Sequence, residues 1–289
     1  MVRVIEAHLR LSTFSIKHPE AFQVRVALPV PQPSTLVGLL ACCLGVAKGV
    51  GMKVGGIIGE WVDSAKILAA RATPVEDSPP LVFSTMVLRR FRIEDKAHES
   101  KEKGTPKPID VLRNALLNGE FELVKTMLEK KLTDAFYREY VMGHELRCVW
   151  AISDDLELRP EWLMLAHRLG DTESLCSVLD VEEVAAEIVE EDVVETSFPA
   201  HLEGCRLVEG SYMIVKMCDE AFFHHREGGP RRFIVPCRVR VERVRGGAVS
   251  VITPSKVRVE YEEPVKVIRI EGGEEITAYT PRETRRRRR

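Results

Sequence analysis

The first dozen residues constrain the fold most. From Val4 to Leu11, apolar Ile5, Ala7, Leu9 and Leu11 alternate with Glu6, His8 and Arg10, the period of two that a strand needs when one face is buried and the other polar. Such a strand must cover its apolar face with a helix or a second sheet. Phe22 to Leu28 again reads as extended, and Pro29, Pro31 and Pro33 hold the following backbone out of helix. Helical spacing begins directly afterwards at Leu36, Leu39, Leu40, Cys43 and Leu44, with Ser34 as the expected N-cap. Gly38 stands inside this helix, where glycine costs about 1 kcal/mol relative to alanine. Close packing or a ligand approaching the backbone would each account for it.

Further along, Leu81 to Phe91 is extended and ends in Arg89, Arg90 and Arg92, and Glu94 to Pro108 is charged and poor in apolar residues. Two amphipathic helices are expected next, one stopping at Asn118-Gly119 and one carrying Phe121, Val124, Met127, Leu128 and Leu132. Extended pattern returns near Tyr137 to Ile152, so residues 89–140 read as an arm inserted between two strands. Trp162, Leu165, Ala166 and Leu169 suggest another helix, stopped by Gly170. Asp171 to Glu195 then holds ten acidic residues and no Lys or Arg, a surface that repels phosphate, and a domain boundary is expected near residue 190. The rest is strand-like and punctuated by Gly228-Gly229, Gly246-Gly247 and Gly272-Gly273, the hairpin signal of a small antiparallel β domain. The expected class is α+β, with residues 1–190 and 191–289 as the two domains.

Charge excludes a globally basic nucleic-acid binder: 42 Lys and Arg face 44 Asp and Glu, for a net charge of -2. Basic charge is local, with ten Lys or Arg against four Asp or Glu from Lys216 to Arg258, and a terminal run at Arg285 to Arg289. No apolar run of membrane-spanning length occurs, and seven cysteines, an odd number mostly within apolar runs, fit a reduced cytoplasmic protein. Gly49, Gly51 and Gly55 follow a helix, so they do not form a dinucleotide-binding turn between strand and helix. Cys205, Cys218, His224, His225 and Cys237 lack the short paired spacing of a zinc site. Catalytic signatures are absent, and no cofactor or metal is expected.

Two groups of residues remain as candidates for phosphate contact. The helix entrance at Pro33-Ser34-Thr35, beside the polar strand face of His8 and Arg10, offers amides and a helix dipole. The arginines Arg89, Arg90, Arg92, Arg231, Arg232, Arg238 and Arg240 offer bidentate donors, although solvated strand faces would look the same.

Pro31-Gln32-Pro33-Ser34-Thr35-Leu36-Val37-Gly38-Leu39-Leu40 resembles the opening helix of the Cas five family of CRISPR-associated proteins. Asp134 to Val141 resembles that family's return strand after its inserted arm, and Arg168 to Ser174 a segment near the end of its first domain. The form is most similar to the archaeal type I-A branch. The resemblance implies a ferredoxin-like or RRM-like (RAMP) first domain, an inserted thumb at about residues 89–140, and a small β domain. It also implies a non-catalytic subunit of the Cascade surveillance complex in antiviral defence. Such a subunit caps the five-prime handle of the crRNA, touches the Cas seven backbone subunit and the Cas eight large subunit, and meets target DNA only through the assembled complex. Carried onto this chain, Ser34, Thr35 and Gly38 would line the handle site. Arg10, Lys17, His18 and Arg25 would grip phosphates, Tyr137 or Tyr140 would stack a base, and Arg89, Arg90, Arg92, Arg138, Arg147, Arg231 and Arg232 would add cations. Two rival readings stand beside it. One is a metal-independent endoribonuclease processing precursor crRNA, drawing on Lys17, His18, Tyr140 and His144. The other is a protein-interaction scaffold using the acidic 171–195 segment.

Overall fold

The computed structural model describes residues 2–16, 18–19, 24–25, 27–49, 60–61, 66–75, 81–91, 105–128, 133–170, 174–221, 230–245 and 247–280. The chain divides into two compact units. The first comprises Met1–Ala21, Val26–Ser84 and Glu139–Arg289, the second Phe22–Arg25 and Thr85–Arg138.

In order, the elements are β1 (Val2–Phe14), β2 (Val24–Arg25), α1 (Pro33–Ala47), β3 (Ile67–Pro74), β4 (Leu81–Phe91), α2 (Pro108–Leu117), α3 (Phe121–Thr126) and β5 (Thr133–Ser153). A 3-10 helix (Pro160–Leu165) then leads to β6 (Cys176–Val184), β7 (Ala186–Thr196), β8 (Ala200–His201), β9 (Cys205–Gly210) and β10 (Tyr212–Met217). The last four strands are β11 (Arg231–Val244), β12 (Gly247–Pro254), β13 (Val257–Ile270) and β14 (Glu274–Thr277).

The larger sheet runs β10-β11-β12-β4-β5-β1-β6, with β3 joined to β5 and β8 to β11, and the smaller runs β14-β13-β7 with β9 on β13. Among the described residues the pairings of β1 with β5 and β6, of β3 with β5, of β11 with β8, β10 and β12, of β12 with β4, and of β13 with β7, β9 and β14 are antiparallel, and that of β2 with β5 is parallel. Helices and mostly antiparallel strands are thus mixed in one chain, as expected. The division differs from the expected 1–190 and 191–289. Residue 190 lies inside the unbroken strand β7, and β11 and β12, from beyond it, join the sheet that holds β1. Hydrogen-bonded register between strands so far apart leaves no local trace in a sequence.

β1 behaves as its alternation requires. Ile5, Ala7, Leu9 and Leu11 are fully buried with Leu36, Val37, Leu40 and Cys43 of α1 and with Trp150 of β5. The Trp150 indole Nε1 donates to the Leu36 carbonyl at 3.0 Å, which fixes the helix on the sheet while satisfying a buried polar group. On the opposite face Val4, Ala69, Val149 and Ala151 meet Ile268 and Ile270 of the smaller sheet.

A buried ionic hub ties the first unit together. Arg71 of β3 has a fully buried side chain that pairs with the equally buried Glu220. Its other donors reach the carbonyls of Pro199 (3.0 Å), Ala70 (2.9 Å) and Thr277 (3.2 Å), and its Nη2 lies 3.2 Å from His201 Nε2. Glu220 also accepts from the Ala70 amide at 3.1 Å, and the guanidinium lies over the Phe233 ring at 5.3 Å. A buried guanidinium needs this density of acceptors to offset lost hydration.

In the second unit, α2 and α3 bury Leu112, Ala115, Val124 and Met127 against one another. The helix stop at Asn118-Gly119 holds, with Gly119 at φ 72°. The stripe at Trp162, Leu165, Ala166 and Leu169 does not form the expected helix. Only a 3-10 turn over Pro160–Leu165 forms, and the chain then extends, with Arg168 bridged to Leu175 and the Cys176 amide bonded to the His167 carbonyl.

Candidate nucleic-acid interface

The alternation of β1 settles where its polar side chains go. The residues facing α1 are the apolar set, so Glu6, His8 and Arg10 project from the opposite face of the sheet. The expected joint site, in which the α1 entrance and this polar face cooperate, is therefore not formed: the sheet lies between them. The polar face is also internally neutralised. Arg147 binds Glu6 through two bonds of 2.5 and 2.8 Å, and this carboxylate pairing holds the guanidinium more firmly charged. Arg10 donates to Glu145 at 2.7 Å, and His8 Nε2 lies 3.2 Å from the same carboxylate. Asp180 and Glu182 of β6 stand opposite His8 and Glu6. Arg10 and Arg147 thus serve cross-strand ion pairs instead of offering open phosphate contacts.

At the other face, α1 begins two residues earlier than expected. Gln32 is the N-cap residue, without a side-chain cap bond, and Pro33 takes the first turn, where its missing amide costs nothing. Ser34 is buried, and its amide donates to the Cys218 carbonyl at 3.3 Å; the Thr35 and Leu36 amides both donate to the Gln32 carbonyl. Gln32 in turn accepts from the Cys218 amide at 3.0 Å. The first-turn amides are therefore committed to protein acceptors, which corrects the expectation that Ser34 caps the helix and that free amides await a phosphate.

What the entrance offers instead is a cleft of about 410 Å³, lined by Gln32, Ser34, Thr35, Gly38, Cys42 and Arg168, together with Ile16, Leu39, Leu169 and Gly170. Arg168 is exposed and has no ion-pair partner among the described residues. A Cβ built on Gly38 would meet no described atom within 4 Å. Close packing against the described residues therefore does not account for this glycine. Gly170, at φ 100°, presses the opposite wall together: a Cβ there would lie 2.7 Å from Ile16 Cγ1. Arg168 was missed as a site residue, although it opens the stretch Arg168-Leu169-Gly170 that carried part of the family resemblance.

The other candidates disperse. Lys17 and Arg92 lie outside the described residues, and of Arg25, Arg89, Arg90, Tyr137, Arg138 and His144 only the backbone is described. His18 and Tyr140 are half-buried. Arg231 is buried, paired with Asp219 at 2.9 Å and set over the Tyr279 ring at 5.7 Å, so it is a structural ion pair and not a surface contact. Its neighbour Arg232, pointing the other way along the strand, is exposed. Cys218 and Cys237 are buried and Cys205 half-buried; among the described residues no group of three or more His, Cys, Asp or Glu could hold a metal ion. A second cleft of about 460 Å³ holds Arg147, Lys256 and Glu274, all engaged: Lys256 meets Glu274 at 3.0 Å and Ser197 donates to the same carboxylate. Among the described residues no helix is long and apolar enough to cross a membrane.

Residues 4–234 match the family described as CRISPR-associated protein (Cas_Cas5). The class is that of the CRISPR-associated proteins. Within it, this chain belongs to the Cas5 family. A crystal structure of a CRISPR protein from Archaeoglobus fulgidus superposes with a TM-score of 0.55 at 15% identity, covering 97% of this chain and 100% of that one. That is an agreement of fold. A chain of a CRISPR RNA-guided surveillance complex reaches 0.38 at 14% identity, covering 88% of this chain and 91% of its own. A chain of the type III-B Cmr-beta complex, bound to cognate target RNA and AMPPnP, reaches 0.34 at 11% identity, covering 90% and 86%. Overlaps of that size carry no structural argument. No curated protein matches the sequence.

Proposed function

We propose that this protein is a non-catalytic subunit of an archaeal type I-A Cascade complex and holds the five-prime handle of the crRNA in the cleft at the entrance of α1. On this reading the first unit contains a ferredoxin-like RAMP core, and residues 85–138 with 22–25 are the inserted thumb. The Cas seven backbone and Cas eight large subunits are its neighbours in the cytoplasm. The observation that carries the proposal is the cleft itself. It gathers a guanidinium with no ion-pair partner among the described residues (Arg168), a hydroxyl (Thr35), an amide side chain (Gln32) and a glycine surface (Gly38) from two segments that bear the family resemblance. A single-stranded handle needs a cation for grip and polar groups for unstacked base edges. The grip comes from Arg168 and not from helix amides, which are already bonded.

The test is binding of handle-containing guide RNA by the full chain, with chelator present. Arg168→Ala should weaken binding about tenfold, as loss of one charge-assisted contact does, and reduce the salt dependence by about one phosphate contact. Unchanged affinity in Arg168→Ala, or specific cleavage of precursor RNA in chelator, overturns the proposal.

A further inference from the structure

The outer half of β11 is arranged unlike its inner half. Pairing with β10 ends at Pro236, and the Cys237 amide bonds to the Ser211 carbonyl, so from Arg238 onward that edge of the strand has no partner among the described residues. On its other side β11 pairs with β12 as far as Val244 and Gly247, whereas among the described residues the pairing of β12 with β4 covers only Val249, Ser250 and Val251. Among the described residues, those near the turn therefore form a ribbon two strands wide, with Arg245 at its end.

Arg238, Arg243 and Arg245 are exposed on this ribbon and have no ion-pair partner among the described residues; Arg240 is exposed and meets Glu242 at 2.6 Å. Between them Val239 and Val241 are 49% and 66% exposed. Charge on an edge strand commonly serves to prevent sheet-to-sheet association. That purpose does not explain two bare valines on the same edge, which promote it.

We infer that the β11–β12 ribbon binds double-stranded DNA, seating in the major groove with its arginines on the flanking phosphates and guanine edges. Three features select this partner. A groove about 12 Å wide admits a two-stranded ribbon, whereas the major groove of A-form RNA is too narrow for side chains to read. Single-strand binding relies on aromatic stacking, and residues 238–254 contain no aromatic side chain. Exposed valines suit thymine methyl groups, which the major groove presents. The surface is distinct from the α1 cleft and does not depend on what that cleft holds.

The experiment titrates the full chain with a blunt DNA duplex, a single-stranded RNA and a double-stranded RNA of equal length across a salt series. The triple variant Arg238→Ala, Arg243→Ala, Arg245→Ala should bind the DNA duplex at least tenfold more weakly. Its slope of log affinity against log salt should fall by about 2.7, three contacts at about 0.9 each. The terminal Arg285 to Arg289 run is common to both proteins, so the difference reports the ribbon. Arg168→Ala should leave duplex affinity unchanged. Undetectable duplex binding at low salt, an unchanged slope, or an equal loss of affinity for single-stranded RNA overturns the inference.

Discussion

Replacing Gly38 with alanine pulls stability and binding in opposite directions. In the interior of a helix this exchange removes backbone freedom from the unfolded chain and gains about 0.5 to 1 kcal/mol where the new methyl fits. At Gly38 it does fit, since no described atom lies within 4 Å of the added Cβ. For a chain of this size the gain should raise Tm by about 1 to 4 °C. The same methyl projects into the cleft shared with Thr35 and Arg168. A ligand seated on the glycine would meet an overpacked surface, worth about 1 to 3 kcal/mol, or roughly five- to more than a hundredfold in affinity. Thermal unfolding and RNA titration on the same preparation read both effects. A variant that melts higher and binds handle RNA as the parent does would refute the idea that the glycine is kept for a ligand. One that melts lower would refute the packing argument.

Other outcomes follow from the interior and from one surface pair. Arg71→Met strands Glu220 in a dry core and should cost about 3 to 5 kcal/mol in chemical denaturation, while joint replacement of Arg71 and Glu220 by apolar residues should cost clearly less; equal costs would count against the pairing. Burial pushes the Cys43 thiol up to about 12, Cys176 and Cys237 to about 11, and raises Cys148 as well. All four should resist alkylation at pH 8 until the chain unfolds, and rapid labelling of the folded protein by mass spectrometry would contradict their placement. Arg3 holds the Glu183 carboxyl below its ordinary value through a bidentate hydrogen bond. The stabilisation it gives is present above the unfolded pKa near 4.5 and lost as pH falls through the lower folded value. Because the pair is partly exposed, Glu183→Gln should cost less than about 1 kcal/mol at pH 7 and shrink the stability change across the acid limb.

Local pattern carried much of this architecture. The alternation of β1 specified its buried face residue by residue, and the first of the two helices of the second unit announced its stop at Asn118-Gly119. The start of α1 was displaced because Ser34 is a favoured capping residue, yet Pro33 is better suited to the first turn and moves the boundary back to Gln32. The opposition of His8 and Arg10 to α1 was implicit in the same alternation that buried Leu9, so separating them needed no further information. Pairing was different. That Arg147 would find Glu6, and that Arg231 rather than Arg232 would turn inward to Asp219, depends on registers between strands far apart in the chain. Two adjacent arginines on a strand point opposite ways, and composition does not say which is inside. The cation at the cleft, Arg168, lay in a stretch expected to be helix; only its extended backbone and bridge to Leu175 bring it to the entrance of α1.

The hub around Arg71 also dictates an order of events during synthesis. Its acceptors are spread from Ala70 through Pro199 and Glu220 to Thr277, so a nascent chain released from the ribosome as far as residue 200 still carries a charge that belongs in the interior and has no counter-ion there. Completion of this hub must therefore wait until Glu220 and Thr277 have emerged. A shortened gene ending before Glu220 should yield insoluble product, whereas separately expressed pieces that together supply both partners of the ion pair have a route to reassembly.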